Sequence, residues 1–327
     1  MNLLPLLLAA IALLTSSLTV SEFTKCAPQH TPQRYYDGLA RVIAFEQSLV
    51  SHGGASGVDG VHALDEDDPR IAIDVNFHVM FDWELDGITY NTYLKQFSIL
   101  KEFYEPLGFD FTLLMTYEYH QPHYARGYQQ RQMKREFHRG SYSTLNVYFV
   151  DRVRGSMEIY GRGTLPLADM REDDKLFRTD GVLISIRALP GYSTFSEYDA
   201  EEGKTLLHET GHWLGLEHID YQGCDPDLVN GGDFVADTPP QAYPFYECHP
   251  PGTVIHSCPK ETFPDQNLIT NIMDRVPDRC MESFTPGQIA RMKNMYWLMR
   301  HNKPLPPSTP EDPVPSAVAE PDPEDEE

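Results

Sequence analysis

The 327-residue chain reads as an α+β protein, and three observations carry that reading. IAIDVNFHVMF (71–81) alternates apolar residues with period two, and FDFTLLMTYEY (109–119), LNVYFVD (145–151) and DGVLISI (180–186) are similar β-rich runs. TYLKQFSILKEFYEPLG (92–108) instead repeats apolar residues at three and four, the spacing of a helix with one covered face. From 219 to 285 periodicity fades and Pro, Gly, Asp and Cys take over, which predicts a loop-rich half.

The elements follow in chain order. MNLLPLLLAAIALLTSSLTVS is apolar from Leu3 to Leu14 and then small and polar, which matches a signal peptide (1–20) and is too short to span a bilayer. A secreted, extracellular protein is expected. Residues 21–70 hold one amphipathic helix, with Tyr36, Leu39, Ile43 and Phe45 among its apolar positions. They end in SHGGASGVDG and LDEDDPR, an exposed and cleavable connector of propeptide type. The main domain spans 71–302. Pro106 and Gly108 close its first helix. QQRQMKREFHRG (129–140) is a basic helix in a chain of net charge −23 and reads as a solvated face. FTPGQIARMKNMYWLMRH (284–301) is the last helix, capped by Thr285 ahead of Pro286. The tail, 303–327, is acidic and Pro-rich without aromatic residues, so disorder is expected. The acidic balance excludes nucleic acid and anionic membrane as partners. A monomer acting on a protein or peptide partner is expected.

TLLHETGHWLGLEH (205–218) carries the chemistry. Asp199 with Glu202 resembles a capping box and Gly215 a left-handed C-terminal residue, which predicts a helix over about 200–214. His208 and His212 are four apart, so their imidazoles share one face and can reach one ion. Gly215 lets the chain reverse and bring His218 back as a third ligand. Three neutral imidazoles leave one position open, the mark of a catalytic zinc site with one ion per chain. Glu209, beside the first ligand, is placed to take a proton from water.

The cysteines are Cys26, Cys224, Cys248, Cys258 and Cys280. The last four fall within 57 residues and should pair outside the cell, with three pairings open. Cys26 is left over. No Asn-x-Ser/Thr sequon occurs.

HETGHWLGLEH followed by the methionine of NIMD (271–274) resembles the metzincin metallopeptidases. The order GKTLLHETGHWLGLEH, Cys224, GDFVADTPP (232–240), Cys248, Cys258, NIMD and CMESFTPGQIARM (280–292) is similar to the pappalysin (M43) branch, with its small secreted fungal and prokaryotic proteases. The similarity covers about residues 71–300. It implies a metzincin-type zincin fold: a twisted mixed sheet, a backing helix, an active-site helix and a disulfide-clipped C-terminal half. It also implies zinc on His208, His212 and His218, and Glu209 as general base and acid. Met273 would form the Met-turn beneath the histidines, and Cys224–Cys258 and Cys248–Cys280 would be the disulfides. By the same resemblance GVLISI (181–186) would be the edge strand to which an extended substrate adds. Cys26 would be a latency thiol, and Asp233 and Asp237 candidate calcium ligands.

Two departures stand out. Arg275 replaces the tyrosine that many relatives carry two residues after the Met-turn methionine, and Ile219-Asp220 replaces the commoner Thr-Phe after the third ligand. The expected function is a secreted zinc-dependent endopeptidase; the alternative is a zinc-binding pseudoprotease acting as a secreted binding protein. Glu209 favours the enzyme, since a scaffold has no need of a base there.

Overall fold

A computed structural model describes residues 24–26, 31–51, 70–82, 88–192, 202–225 and 232–301. The expected signal peptide, most of the acidic connector and the Pro-rich tail lie outside the described residues. The strands are β1 (Thr24–Cys26), β2 (Ile71–Phe81), β3 (Phe109–His120), β4 (Leu145–Val150), β5 (Ile159–Arg162) and β6 (Val182–Ser185). The helices are α1 (Gln33–Ser51), α2 (Tyr90–Tyr104), α3 (Pro122–Ala125), α4 (Gln130–Phe137), α5 (Lys204–Trp213) and α6 (Pro286–Met295), the last continued by a π-turn over Tyr296–Arg300.

The strands form one sheet in the order β1-β5-β6-β4-β2-β3. Every pairing is parallel except β5 with β6, so the sheet is mixed. The expectation for 181–186 is corrected here. β6 is internal, bonded to β4 on one side and β5 on the other, and all four of its residues are buried. With β1 set aside, the edge on this side of the sheet is β5, four residues containing a glycine, too short to display a period, and the far edge is β3. β1, from the N-terminal segment, pairs outside β5 with Cys26 opposite Gly161.

The main core forms where α2 and α5 pack on one face of the sheet. Phe77, Tyr104, Phe111, Phe149, Leu206 and Trp213 all lie in it. The α2 helix ends as its sequence requires, through a 3₁₀ turn over Glu105–Leu107 and a left-handed Gly108 at φ 92°. At the C-terminal end, Thr285 caps α6 through a reciprocal box with Gln288. The π-turn carries Arg300 into the interior, where its guanidinium stacks on Trp213 at 3.9 Å and pairs with buried Asp180 at 2.9 Å. Burial alone would raise the Asp180 carboxyl, but Arg300 and the hydrogen bonds from Thr164 and Trp213 hold it below its ordinary value.

A second core joins the N-terminal segment to the main domain. Tyr35, Tyr36, Leu39 and Val42 of α1 pack with Leu165, Leu167, Met295 and Met299. Glu46 accepts two-pronged hydrogen bonds from Arg291, and the Tyr35 hydroxyl donates to the Gly215 carbonyl at 3.3 Å. The loop-rich half is pinned by Cys224–Cys258 and Cys248–Cys280, with Cα separations of 5.5 and 5.7 Å.

Candidate metal centre

The α5 helix presents the cluster. It starts later than the sequence suggests. Gly203, left-handed at φ 73°, is the N-cap, and Asp278 from the loop-rich half accepts the Lys204 and Glu202 backbone N–H groups at 3.0 and 3.2 Å. Asp199 lies outside the described residues. At the other end the Gly215 N–H donates to the His212 carbonyl at 2.8 Å and the Leu216 N–H to Gly211 at 3.0 Å. That pair of bonds, with Gly215 at φ 97°, is a Schellman reversal, and it carries His218 back under the helix.

Two imidazoles are oriented by backbone carbonyls. His208 Nδ1 lies 2.7 Å from the Ile272 carbonyl and His212 Nδ1 2.7 Å from that of Leu216. A carbonyl only accepts, so each Nδ1 carries the proton and each Nε2 offers a lone pair inward. His218 Nε2 stands 3.0 Å from His208 Nε2 and 3.1 Å from His212 Nε2. Three nitrogens at the usual ~2.0–2.1 Å around a tetrahedral zinc would sit about 3.3 Å apart, so the set fits that ion closely. Cys26 Sγ lies 3.5 Å from His212 Nε2, and a zinc-bound sulfur and nitrogen would also be separated by about 3.5 Å. Among the described residues these four side chains are the group of three or more His, Cys, Asp or Glu whose ligand atoms all lie within 4.8 Å of one another, and all are buried. Burial lowers His212 to about 4, the Arg275 charge contributing, and burial with the neighbouring charges holds His218 well below its ordinary value. Burial thus favours the neutral form of His212 and His218, the form in which an imidazole ligates.

Glu209 faces the edge strand. Its Oε2 accepts the Gly163 N–H and lies 3.5 Å from Cys26 Sγ. Gly161 and Gly163 permit this approach, for a Cβ on Gly161 would stand 2.5 Å from Glu209 Oε1 and one on Gly163 2.4 Å from the Glu209 carbonyl oxygen. The signal lies in GRG (161–163), unread in the sequence because its partner is 46 residues away. On the opposite side of α5, Met273 is fully buried. A Cβ on Gly211 would come within 2.6 Å of its Sδ, so the glycine of HETGH is what lets the turn nest under the helix.

The two sequence departures meet each other. Arg275 forms an ion pair with Asp220 at 2.9 Å, and its other amino nitrogen lies 3.1 Å from His218 Nδ1. Of the two candidate calcium ligands, Asp237 caps α6 by accepting from Thr285 and the Gly287 N–H. Asp233 accepts from Val235 N–H and the Thr238 hydroxyl. It neighbours Glu217, which burial and the Asp233 charge push up to about 8. Burial likewise raises Asp233 to about 7.

Comparison with known proteins agrees with this geometry. Residues 127–296 match the Peptidase_M43 model, described as pregnancy-associated plasma protein-A. An extracellular metalloprotease of Arthroderma gypseum is 34% identical over 71% of this chain and 74% of its own. One from Pyricularia oryzae is 31% identical over 91% of this chain and 97% of its own. In structure, mature mirolysin of Tannerella forsythia, solved with a cleaved peptide, aligns with a TM-score of 0.55. It shares 21% identity over 71% of this chain and 96% of that one, so the fold is common to both. On these matches the chain belongs to the M43 family of pappalysin metallopeptidases and is a zinc metalloendopeptidase.

Proposed function

We propose that the protein is secreted and cleaves peptide bonds of extracellular proteins with Glu209 as general base and acid, and that its own N-terminal segment holds it latent. The observation that carries the reading is the meeting of three imidazole nitrogens and the Glu209 carboxylate at the edge of the sheet. Zinc on His208, His212 and His218 would polarise the scissile carbonyl and bring the pKa of water close to neutrality. Glu209 takes the proton from the attacking water and passes it to the departing amine. The Gly163 N–H fixes one oxygen of that carboxylate and so its aim. A substrate strand adds along β5, where backbone hydrogen bonds supply affinity whatever the sequence.

Latency follows from what occupies that edge. β1 lies there in parallel, and Cys26 brings its sulfur to the fourth position. Burial, then the Glu209 charge and hydrogen bond, push the free thiol well up; a sulfur ligating a cation there would be a thiolate. The secretion reading is supported by the names of the relatives. No helix among the described residues is long and apolar enough to cross a membrane. For calcium, the supporting observation is that Glu217 Oε1, Asp233 Oδ2 and Gln222 Oε1 are buried without a hydrogen-bond partner among the described residues. These are hard oxygens of the kind that ion takes. Added calcium is expected to raise the melting temperature of the wild type and not of Asp233→Asn.

The test is cleavage of casein and a mixed peptide library by the processed protein, with and without chelator, beside Glu209→Ala. A loss on the order of 10²–10⁴-fold is expected for the variant. Absence of any Glu209-dependent, chelator-sensitive cleavage would favour the binding-protein alternative. A Cys26→Ala precursor is expected to cleave before processing; equal latency would remove the switch.

A further inference from the structure

The three imidazoles are not held alike. His208 and His212 each set Nδ1 2.7 Å from a backbone carbonyl, that of Ile272 and that of Leu216. At His218 the neighbour of Nδ1 among the described residues is Arg275 Nη2, at 3.1 Å. A ring that offers Nε2 to a cation carries its proton on Nδ1, and that proton needs an acceptor. A guanidinium has donors only, so Arg275 cannot be that acceptor.

An acceptor stands on the far side of the same guanidinium. Asp220 takes the Arg275 Nη1 hydrogen bond on Oδ2 at 2.9 Å. Its Oδ1 is buried without a hydrogen-bond partner among the described residues, and so is Arg275 Nε. The turn from His218 to Tyr221, closed at 3.0 Å between the Tyr221 N–H and the His218 carbonyl, keeps Asp220 close to the ring. Arg275 is fixed at its own backbone, where its N–H donates to Asp274 at 2.8 Å. Asp220 and Arg275 side chains are only 11% and 16% exposed. An ion pair so far from water stabilises little, because desolvation offsets the attraction, and buried polar atoms are normally satisfied. A pair that served only to tie two loops together would have no use for a spare carboxylate oxygen beside a ligand.

We infer that Asp220 Oδ1 accepts the Nδ1 proton of His218 when that ring ligates the cation, while Arg275 holds the opposite oxygen. The inference rests on the zinc reading of the three histidines and deepens it, since Asp220 is a positioning residue that acts through His218. Arg275 Nη2 yields its place at Nδ1 to Oδ1, and the two side chains stay paired through Nη1 and Oδ2. The ring remains neutral throughout. Such a carboxylate fixes the tautomer and the aim of the imidazole and makes Nε2 more basic. Two ligands are thus set by backbone carbonyls and the third by a pair of side chains.

The experiment measures zinc affinity of the full chain by competition with a chromogenic chelator. Asp220→Ala is expected to bind zinc about 10–100-fold more weakly than the wild type. That variant also leaves the Arg275 charge uncovered beside a dication, so the deciding variant combines Asp220→Ala with Arg275→Met and removes both charges. A loss of about tenfold or more that persists in the pair supports the acceptor role. Recovery of wild-type affinity would overturn it, the carboxylate then serving only to neutralise Arg275. A second reading, on protein with isotope-labelled histidines, covers the case in which the paired variant fails to fold, as judged by its melting curve. Zinc-loaded wild type is expected to show slowly exchanging Nδ1 protons for all three ligands, and Asp220→Ala to lose that of His218 alone. An unchanged set of protons would also sink the proposal. Zinc lost in His208→Ala but bound normally in Asp220→Ala would remove this inference alone, whereas a wild type without affinity for zinc would remove the peptidase reading with it.

Discussion

His208 and His212 stand on a hydrogen-bonded helix packed against a sheet, whereas His218, Ile272 and Met273 belong to chain with almost no regular structure. In the sheet half, spacing does the positioning: four residues are one helical turn, and the core fixes the helix. In the loop-rich half each residue is held by a separate device: a Schellman glycine for His218, the Asn271 side chain for the Met273 N–H at 2.9 Å, and two disulfides for the surroundings. The halves are also stitched together, since Asp278 holds the start of α5 and the Ile272 carbonyl orients His208. A catalytic site at such a seam combines a rigid platform with chain that is placed piece by piece.

The largest effect expected on stability comes from the buried charge pair that ties the end of the C-terminal helix to the sheet half. Asp180→Ala leaves Arg300 charged, buried and without its carboxylate, and about 3–5 kcal/mol should be lost in urea unfolding. A loss below about 1 kcal/mol would show that water replaces the carboxylate. Next come the disulfides, which close separations of 34 and 32 residues. Chain-entropy scaling gives each about 3–4 kcal/mol. Cys248→Ser with Cys280→Ser is expected to speed hydrogen exchange in 219–285 while β2, β3 and β4 keep their protection. Equal loss in both halves would erase the contrast drawn here.

The third effect belongs to the sheet half. His78 is fully buried, its Nε2 2.8 Å from Asn146 Oδ1, and burial lowers its pKa to about 4. A histidine lowered on folding contributes stability above its unfolded pKa of about 6.5, and this is lost as the pH falls toward 4. Between pH 7 and pH 5 that amounts to roughly 2 kcal/mol. Urea midpoints should fall accordingly in the wild type and less in His78→Asn. The smallest effect is local: Thr285→Ala removes the cap of α6 and should cost about 1 kcal/mol, measured by thermal melting.

Much of this contrast could be read in the chain beforehand, and the reason is locality. β2 was legible over its full length because period-two alternation marks a strand, although both of its faces are buried from Val75 to Met80, and HETGHWLGLEH because helix geometry converts spacing into convergence. β5 was not: four residues cannot display a period, and an edge strand is defined by what lies beside it. The same applies to Asp180 with Arg300, and to Arg275 with Asp220, which are 120 and 55 residues apart. Nothing local in an aspartate announces a distant guanidinium. Asp237 shows the converse. A loop carboxylate suggests a cation, but its geometry is that of a cap, and only the fold brings α6 to it.

The seating of α1 has a consequence for timing. Its Tyr35, Tyr36, Leu39 and Val42 are buried, and Glu46 is clamped by Arg291, so on the latency proposed above a nick in the connector would sever a tether and leave the brake engaged. Letting go requires a helix to be pulled out of an apolar bed, an event with the steep temperature dependence of local unfolding. Once the tether is gone, dilution keeps the departed helix from returning. Onset of proteolysis should therefore lag behind the nick, and the lag should shorten sharply on warming.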